Sequence, residues 1–298
     1  MIRLFLPAAL LVLLFTSFPT FAQDDDDVVT VDSSIVVVNA TITDASGNHV
    51  SGLRQKQFSI FENGVEQEIN FFAAEETPFA AAILLDTSGS MEQRVSMARS
   101  AAIRFLDGIR ETDSAEIYRF DSKVSLVQKF SNSRDVTEKL FDLKADGMTA
   151  LNDAIFQAAK DLGDRPEKRR AIIVLSDGMD TFSAHSSDKA LKAALAVNAL
   201  IYTVDMSATD TNTKQRAQNQ GVLRNFADKT GGMFIATPGG VAMRDAFRKI
   251  VEELGTQYTL AYQPKNLTKD GKWRAIEVRV TKPSLTIRTR KGYNAAKR

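Results

Sequence analysis

Residues 79–91 read FAAAILLDTSGSM: seven apolar residues, then a carboxylate, alternating hydroxyls and a glycine. An apolar run of this length is too short to span a bilayer and suits a strand buried on both faces. Such strands belong to parallel sheets wrapped by helices, and those sheets bind ligands in the loops beyond their carboxyl ends. Asp86, Ser88 and Ser90 would then lie in a ligand-facing loop, with Gly89 permitting the tight turn. Oxygen-only donors suit a hard cation such as Mg²⁺ or Mn²⁺. Taken alone, the same residues read first as a polar turn that caps a helix, so the rest of the chain has to decide.

Composition removes several kinds of chemistry. The 298 residues contain no cysteine, which excludes disulfides, thiolate metal sites, cysteine nucleophiles and a lipid-anchored amino terminus. His49 and His185 are the only imidazoles, too few for a histidine-rich metal site or an easily built triad. A net charge of +1 does not call for a nucleic-acid partner. Neither G-x-S-x-G, a phosphate-binding G-x-x-x-x-G-K-[ST], nor H-E-x-x-H occurs, and no carboxylate stands two residues after Asp86 as in an aspartyl-phosphate enzyme.

The chain opens like an export signal over residues 1–22. Arg3 supplies the positive start, Leu4 to Phe15 the apolar core and Thr20-Phe21-Ala22 a small-residue cleavage site. An uncleaved anchor is the alternative, weakened by Pro7, Pro19 and Thr16-Ser17. No later segment is apolar for long enough to span, so the mature chain is expected to be exported, with periplasm, cell surface and medium all open.

A β segment is expected over 23–76. It begins with a solvated acidic arm, Asp24 to Asp27, then a strand from Ile35 to Thr43 and a hairpin of Phe58–Phe61 and Val65–Phe72 about Asn63-Gly64. Asp44-Ala45-Ser46 echoes the later motif but follows a half-exposed strand and lacks a second hydroxyl. From 77 to 256 strand and helix signals alternate, predicting a mainly parallel, doubly wound sheet with helices on both faces. Val95, Ala98, Ala102, Phe105 and Ile109 mark one helix, and Leu151, Ile155, Ala158 and Leu162 another. A short helix is expected at Val136–Leu143, buried strands at Ala171–Leu175 and Leu200–Val204, and a helix near Val222–Ala227. Ser207 to Gln220 carries no core signal and reads as an excursion loop.

Over 257–298 the period returns to two, with Tyr258, Leu260 and Tyr262, then Ile276, Val278 and Val280. Residues 24–76 hold eleven acidic against two basic side chains, and residues 263–298 eleven basic against two acidic. The two ends are therefore expected to pair into one small all-β domain, with the α/β domain inserted between them. An independent basic patch is the alternative. Trp273 is expected in the β core.

Right-handed crossovers bring the carboxyl ends of parallel strands to one edge, so Asp86 and Asp177 can meet there, with Thr149 in an intervening loop. At this point the stretch from Phe79 to Leu254 resembles a von Willebrand factor A-type domain. Asp86, Ser88, Ser90, Thr149 and Asp177 match that family's metal-ion-dependent adhesion site in identity and order. The flanks GLRQKQFSIFENG and WRAIEVRV…RKGY resemble a bacterial exported group of related proteins. The resemblance implies Mg²⁺ (or Mn²⁺) bound directly by Ser88, Ser90 and Thr149, with Asp86 and Asp177 often acting through water. It further implies a non-enzymatic binding or adhesion protein that captures an Asp or Glu side chain of a protein partner. A structural domain whose ion only braces the loops, and a metal-dependent hydrolase, are the alternatives. His185, in a Ser-rich loop, is expected to be solvated.

Overall fold

The computed structural model describes residues 35–74, 77–132, 140–141, 143–145, 147–208, 212–236 and 240–297. The export signal, the acidic arm and most of the Val136–Leu143 helix lie outside the described residues. In chain order the first strands are β1 (Val36–Thr43), β2 (Phe58–Glu62), β3 (Val65–Gln67) and β4 (Ile69–Ala73). Then follow β5 (Phe79–Asp86), α1 (Val95–Gly108), β6 (Ser114–Phe120), β7 (Val124–Ser131), α2 (Leu151–Gly163), β8 (Arg169–Ser176) and α3 (Ser187–Ala196). Next come β9 (Ala199–Asp205), α4 (Thr213–Thr230), β10 (Phe234–Ala236) and α5 (Gly240–Thr256). The chain closes with β11 (Tyr258–Tyr262), β12 (Trp273–Val280), β13 (Thr286–Thr289) and β14 (Gly292–Asn294).

The central sheet runs β10-β9-β8-β5-β6-β7, parallel throughout except for the edge strand β7. Every residue of β5 is buried, as its unbroken apolar run requires of a central strand covered on both sides. Phe79, Ala81, Ile83 and Leu85 face a core with α1 and α5, whereas Ala80, Ala82 and Leu84 face α2, α3 and α4. This is the doubly wound α/β sheet that the alternation of signals predicted.

The chain ends build two further four-stranded sheets, β13-β1-β11-β4 and β14-β12-β2-β3, each mixing strands from both ends. A shared core of Val38, Ile60, Tyr258, Leu260, Val278 and their neighbours lies between them. The pairing occurs as expected, but apolar register rather than charge carries it. Arg279 bonds Glu277 within its own strand at 2.6 Å, and Arg274 bonds the nearby Asp270 at 3.0 Å. Arg288 pairs with Glu253 of α5. The hairpin also departs from expectation. Asn63 and Gly64 both take positive φ, as a two-residue hairpin turn requires, but the second strand breaks at Glu68, and β4 crosses to pair with β11 in the other sheet.

Three buried side chains lock the end sheets to the α/β layers. Arg169 is fully buried, donates to the Thr259 hydroxyl at 3.0 Å, and donates to the carbonyls of Leu254 (3.2 Å), Gly255 (3.3 Å), Thr77 (3.5 Å) and Gln257. Glu253 accepts from Tyr202 at 2.6 Å and Thr41 at 3.2 Å. Arg290 donates to the carbonyls of Leu195 (3.2 Å) and Val37 (2.6 Å).

Two further expectations are overturned. The stretch read as an excursion loop over Ser207–Gln220 contains the first turns of α4, capped by Asn212, whose side chain accepts from Lys214 at 3.0 Å. Those turns bury only Asn219 and so carry no apolar period. Trp273 is 41% exposed, because it falls on the outward-facing positions of the alternating strand β12.

Candidate metal centre

β5 ends at Asp86, and the chain turns at once through Thr87 and Ser88 into a single 3-10 turn, Gly89–Met91. Asp86 is fully buried, with both carboxylate oxygens occupied. One accepts from the Ser88 amide at 2.9 Å and the Ser88 hydroxyl at 2.6 Å; the other accepts from the Ser176 hydroxyl at 2.5 Å. The Ser88 and Ser90 hydroxyl oxygens stand 3.2 Å apart. Adjacent ligands in an octahedron with Mg–O of ~2.1 Å are separated by about 3 Å, so this spacing fits two neighbouring positions around Mg²⁺.

The second loop arrives from the amino-terminal side of α2. The Gly89 amide donates to the Gly147 carbonyl at 3.1 Å, tying the two loops together. Gly147 has φ +75°, a conformation L side chains rarely adopt. Thr149 is buried, and its backbone is held by the third loop: its amide donates to the Thr181 hydroxyl at 3.0 Å, and its carbonyl accepts from Thr181 (2.9 Å) and Phe182 (3.0 Å).

The third loop leaves β8, which lies beside β5 with Leu85 opposite Leu175. That register places Ser176 against Asp86 and Asp177 just beyond it. Asp177 is buried, and one of its carboxylate oxygens accepts from the Met179 amide at 3.0 Å. At Gly178 φ is +82°, and a Cβ there would lie 2.6 Å from the Asn219 carbonyl of α4, so only glycine lets the loop pack this closely.

Asp86, Ser88, Ser90, Thr149 and Asp177 thus stand on three mutually bonded loops at the carboxyl edge of the sheet. Among the described residues no group of three or more His, Cys, Asp or Glu is placed to hold a metal ion, and the five residues here offer three hydroxyls and only two carboxylates. Burial pushes the Asp86 carboxyl up to about 6, opposed by its bonds from Ser176 and Ser88 and reinforced by the nearby Asp177. A buried carboxylate that is costly to ionise alone is a group that gains from a cation. The donor chemistry, the hydroxyl spacing and this buried charge all fit a hard divalent ion.

Sequence reasoning missed several supporting residues. Ser176 holds Asp86 in place, yet nothing but the parallel register distinguishes it from any turn serine. Asp180 accepts from the Asn152 amide at 3.0 Å and Ser183 from the Asp153 amide at 3.2 Å, so the third loop caps α2 from outside. His185 is only partly exposed: it stacks on Phe156 at 4.1 Å, and its Nδ1 lies 2.6 Å from Asp153. On the neighbouring strand β9, Asp205 and Ser207 repeat the Asp86–Ser88 turn, but the remaining Asp205 oxygen is taken by Gln220 at 2.7 Å.

A family model described as von Willebrand factor type A domain matches residues 81–179, which include Asp86, Ser88, Ser90, Thr149 and Asp177. Over 123 residues the chain is 31% identical to the uncharacterised protein sll0103 of Synechocystis sp., covering 39% of this chain and 28% of that one. Among solved structures, a von Willebrand factor type A protein from Catenulispora acidiphila shares the fold at a TM-score of 0.50 and 14% identity, covering 80% of this chain and 74% of that chain. The vWF domain of the type V pili tip protein Mfa5 from Porphyromonas gingivalis also has a TM-score of 0.50, at 13% identity over 60% of this chain and 95% of that chain. The stretch from 81 to 179, which holds Asp86, Thr149 and Asp177, thus matches the von Willebrand factor type A family, and the α/β layers around it share that fold.

Proposed function

We propose that this chain is an exported, non-enzymatic binding protein that captures an Asp or Glu side chain of a protein partner through a divalent cation. Mg²⁺ or Mn²⁺ would be held by Ser88, Ser90 and Thr149, with Asp86 and Asp177 binding directly or through water. Neutral hydroxyls leave the ion much of its charge, so a partner's carboxylate can replace a coordinated water. The observation that carries this reading is the pair of hydroxyls 3.2 Å apart on a turn organised by a fully buried carboxylate.

Bracing of the loops alone is the weaker alternative. Gly89 to Gly147, Ser176 to Asp86 and Thr181 to Thr149 already join the loops directly, which leaves an ion little to brace. Hydrolysis is weaker still, since the chain holds none of the nucleophile or base motifs sought above. That one structural relative is a pilus tip protein agrees with adhesion. Among the described residues no helix is long and apolar enough to cross a membrane.

Pull-down from envelope extract, with Mg²⁺ or with chelator, tests the proposal. Capture should require the ion and should fall in Thr149→Ala without loss of fold. A centrally placed ion-bridged contact is worth on the order of 2–4 kcal/mol, roughly 30- to 1000-fold in affinity. Capture unchanged by both chelation and Thr149→Ala would refute it.

A further inference from the structure

Two exposed apolar residues adjoin Thr149 of the candidate centre and form its apolar rim. Of the nine large hydrophobic residues exposed among the described residues, Met148 (51%) and Phe182 (52%) both adjoin Thr149. Met148 precedes it in the chain, and the Phe182 amide donates to its carbonyl. On the first loop the exposed residues are Gly89, Ser90, Glu92 and Gln93, none of them apolar.

The two side chains stand on fixed backbone. Met148 lies between Gly147, bonded to Gly89, and Thr149, bonded to Thr181. Phe182 lies between Thr181 and Ser183, whose amide donates to Asp180 at 3.1 Å. Apolar groups held rigidly at the edge of a ligand site lose little entropy when a partner covers them. Such anchors beside a charged contact carry much of an interface's affinity.

We propose that Met148 and Phe182 select the partner: the acidic residue the ion captures is flanked, within one or two positions, by an apolar side chain. This rests on the cation-capture reading above and adds to it a requirement on the neighbouring residues. An extended peptide advances ~3.3 Å per residue, so a neighbour of the captured acid falls on residues adjoining Thr149. Covering half of each side chain gives about tenfold in affinity apiece.

The test uses the full chain with Mn²⁺ and fluorescein-labelled peptides, Gly-Gly-Glu-Gly-Gly, Gly-Leu-Glu-Phe-Gly and Gly-Leu-Gln-Phe-Gly. Fluorescence polarisation should show the apolar-flanked Glu peptide binding at least tenfold tighter than the glycine-flanked one, and the Gln peptide weakest. The preference should vanish in Met148→Ser/Phe182→Ser while calorimetric Mn²⁺ affinity and circular dichroism stay unchanged. If Mn²⁺ binds and the two Glu peptides bind equally, both tighter than the Gln peptide, the rim has no selective role and the cation reading stands; if Mn²⁺ binds but neither Glu peptide does, capture through the ion fails and the rim inference with it. If Mn²⁺ itself does not bind, the cation reading fails and the rim inference with it. A preference shared by the Gln peptide places capture away from the ion and overturns the proposal. Mn²⁺-driven self-association abolished by the same double substitution would give the rim to a second copy of the chain, which also overturns it.

Discussion

Replacing Arg169 by alanine should cost more stability than any single change at the candidate centre. Its guanidinium donates to the Thr259 hydroxyl and to backbone carbonyls on both connections between the α/β layers and the end sheets: Thr77 where the chain enters, and Leu254, Gly255 and Gln257 where it leaves. Leu254 and Gly255 lie in the last turn of α5 and Gln257 just beyond it, where a cation is favoured by the helix dipole. Truncation strands those carbonyls in a region where Arg169 itself has no solvent exposure. An orphaned buried acceptor costs about 1–3 kcal/mol, but water entering the vacated volume satisfies some of them. A loss of about 3–5 kcal/mol follows, a large share of the 5–15 kcal/mol typical of a domain. Arg169→Lys keeps the charge without the fork and should lose about half as much. Urea unfolding followed by far-ultraviolet circular dichroism and by the fluorescence of Trp273 reads both layers. The two probes should coincide in wild type and separate in Arg169→Ala. A loss below about 1 kcal/mol with coincident probes would refute the locking role.

Two other predictions concern acid and architecture. Because burial holds the Asp86 carboxyl at about 6, above its ordinary 3.8, the metal-free chain should lose stability as pH rises from about 4 through 6, by on the order of 3 kcal/mol. Cation affinity should run the other way, falling about tenfold per pH unit below about 6; an affinity flat from pH 7 to 5 would contradict this. We also propose domain boundaries near 77 and 256: truncation after Leu254 removes β11 to β14, so β1 loses both its pairing partners and β2 keeps only β3, and both should become protease-sensitive; full protection of those strands would refute the composite β unit.

Much of the fold was legible because its signals are local. The apolar run of β5 announces a central buried strand, and the hydroxyl pattern after it singles out the loop on which the proposed oxygen site stands. Ser176, by contrast, acquires its role only from the alignment of β8 against β5. The start of α4 was hidden because its first turns cover polar surface and present no apolar stripe. The break at Glu68 was hidden because a strand that changes sheets keeps its composition. Charge balance predicted the right pairing of the chain ends for the wrong reason: Arg288 and Arg290 serve contacts to α5 and to backbone carbonyls, not a ladder against the acidic strands.

The central claim is that the turn after β5 binds a divalent cation. Isothermal titration of the full chain with Mn²⁺, compared with Asp86→Ala, tests it most directly. Asp86 bonds both the amide and the hydroxyl of Ser88, so its removal takes away a ligand and disorganises a second one. Wild type should bind one ion and Asp86→Ala none, with unchanged circular dichroism; equal affinity in the two proteins would contradict the assignment.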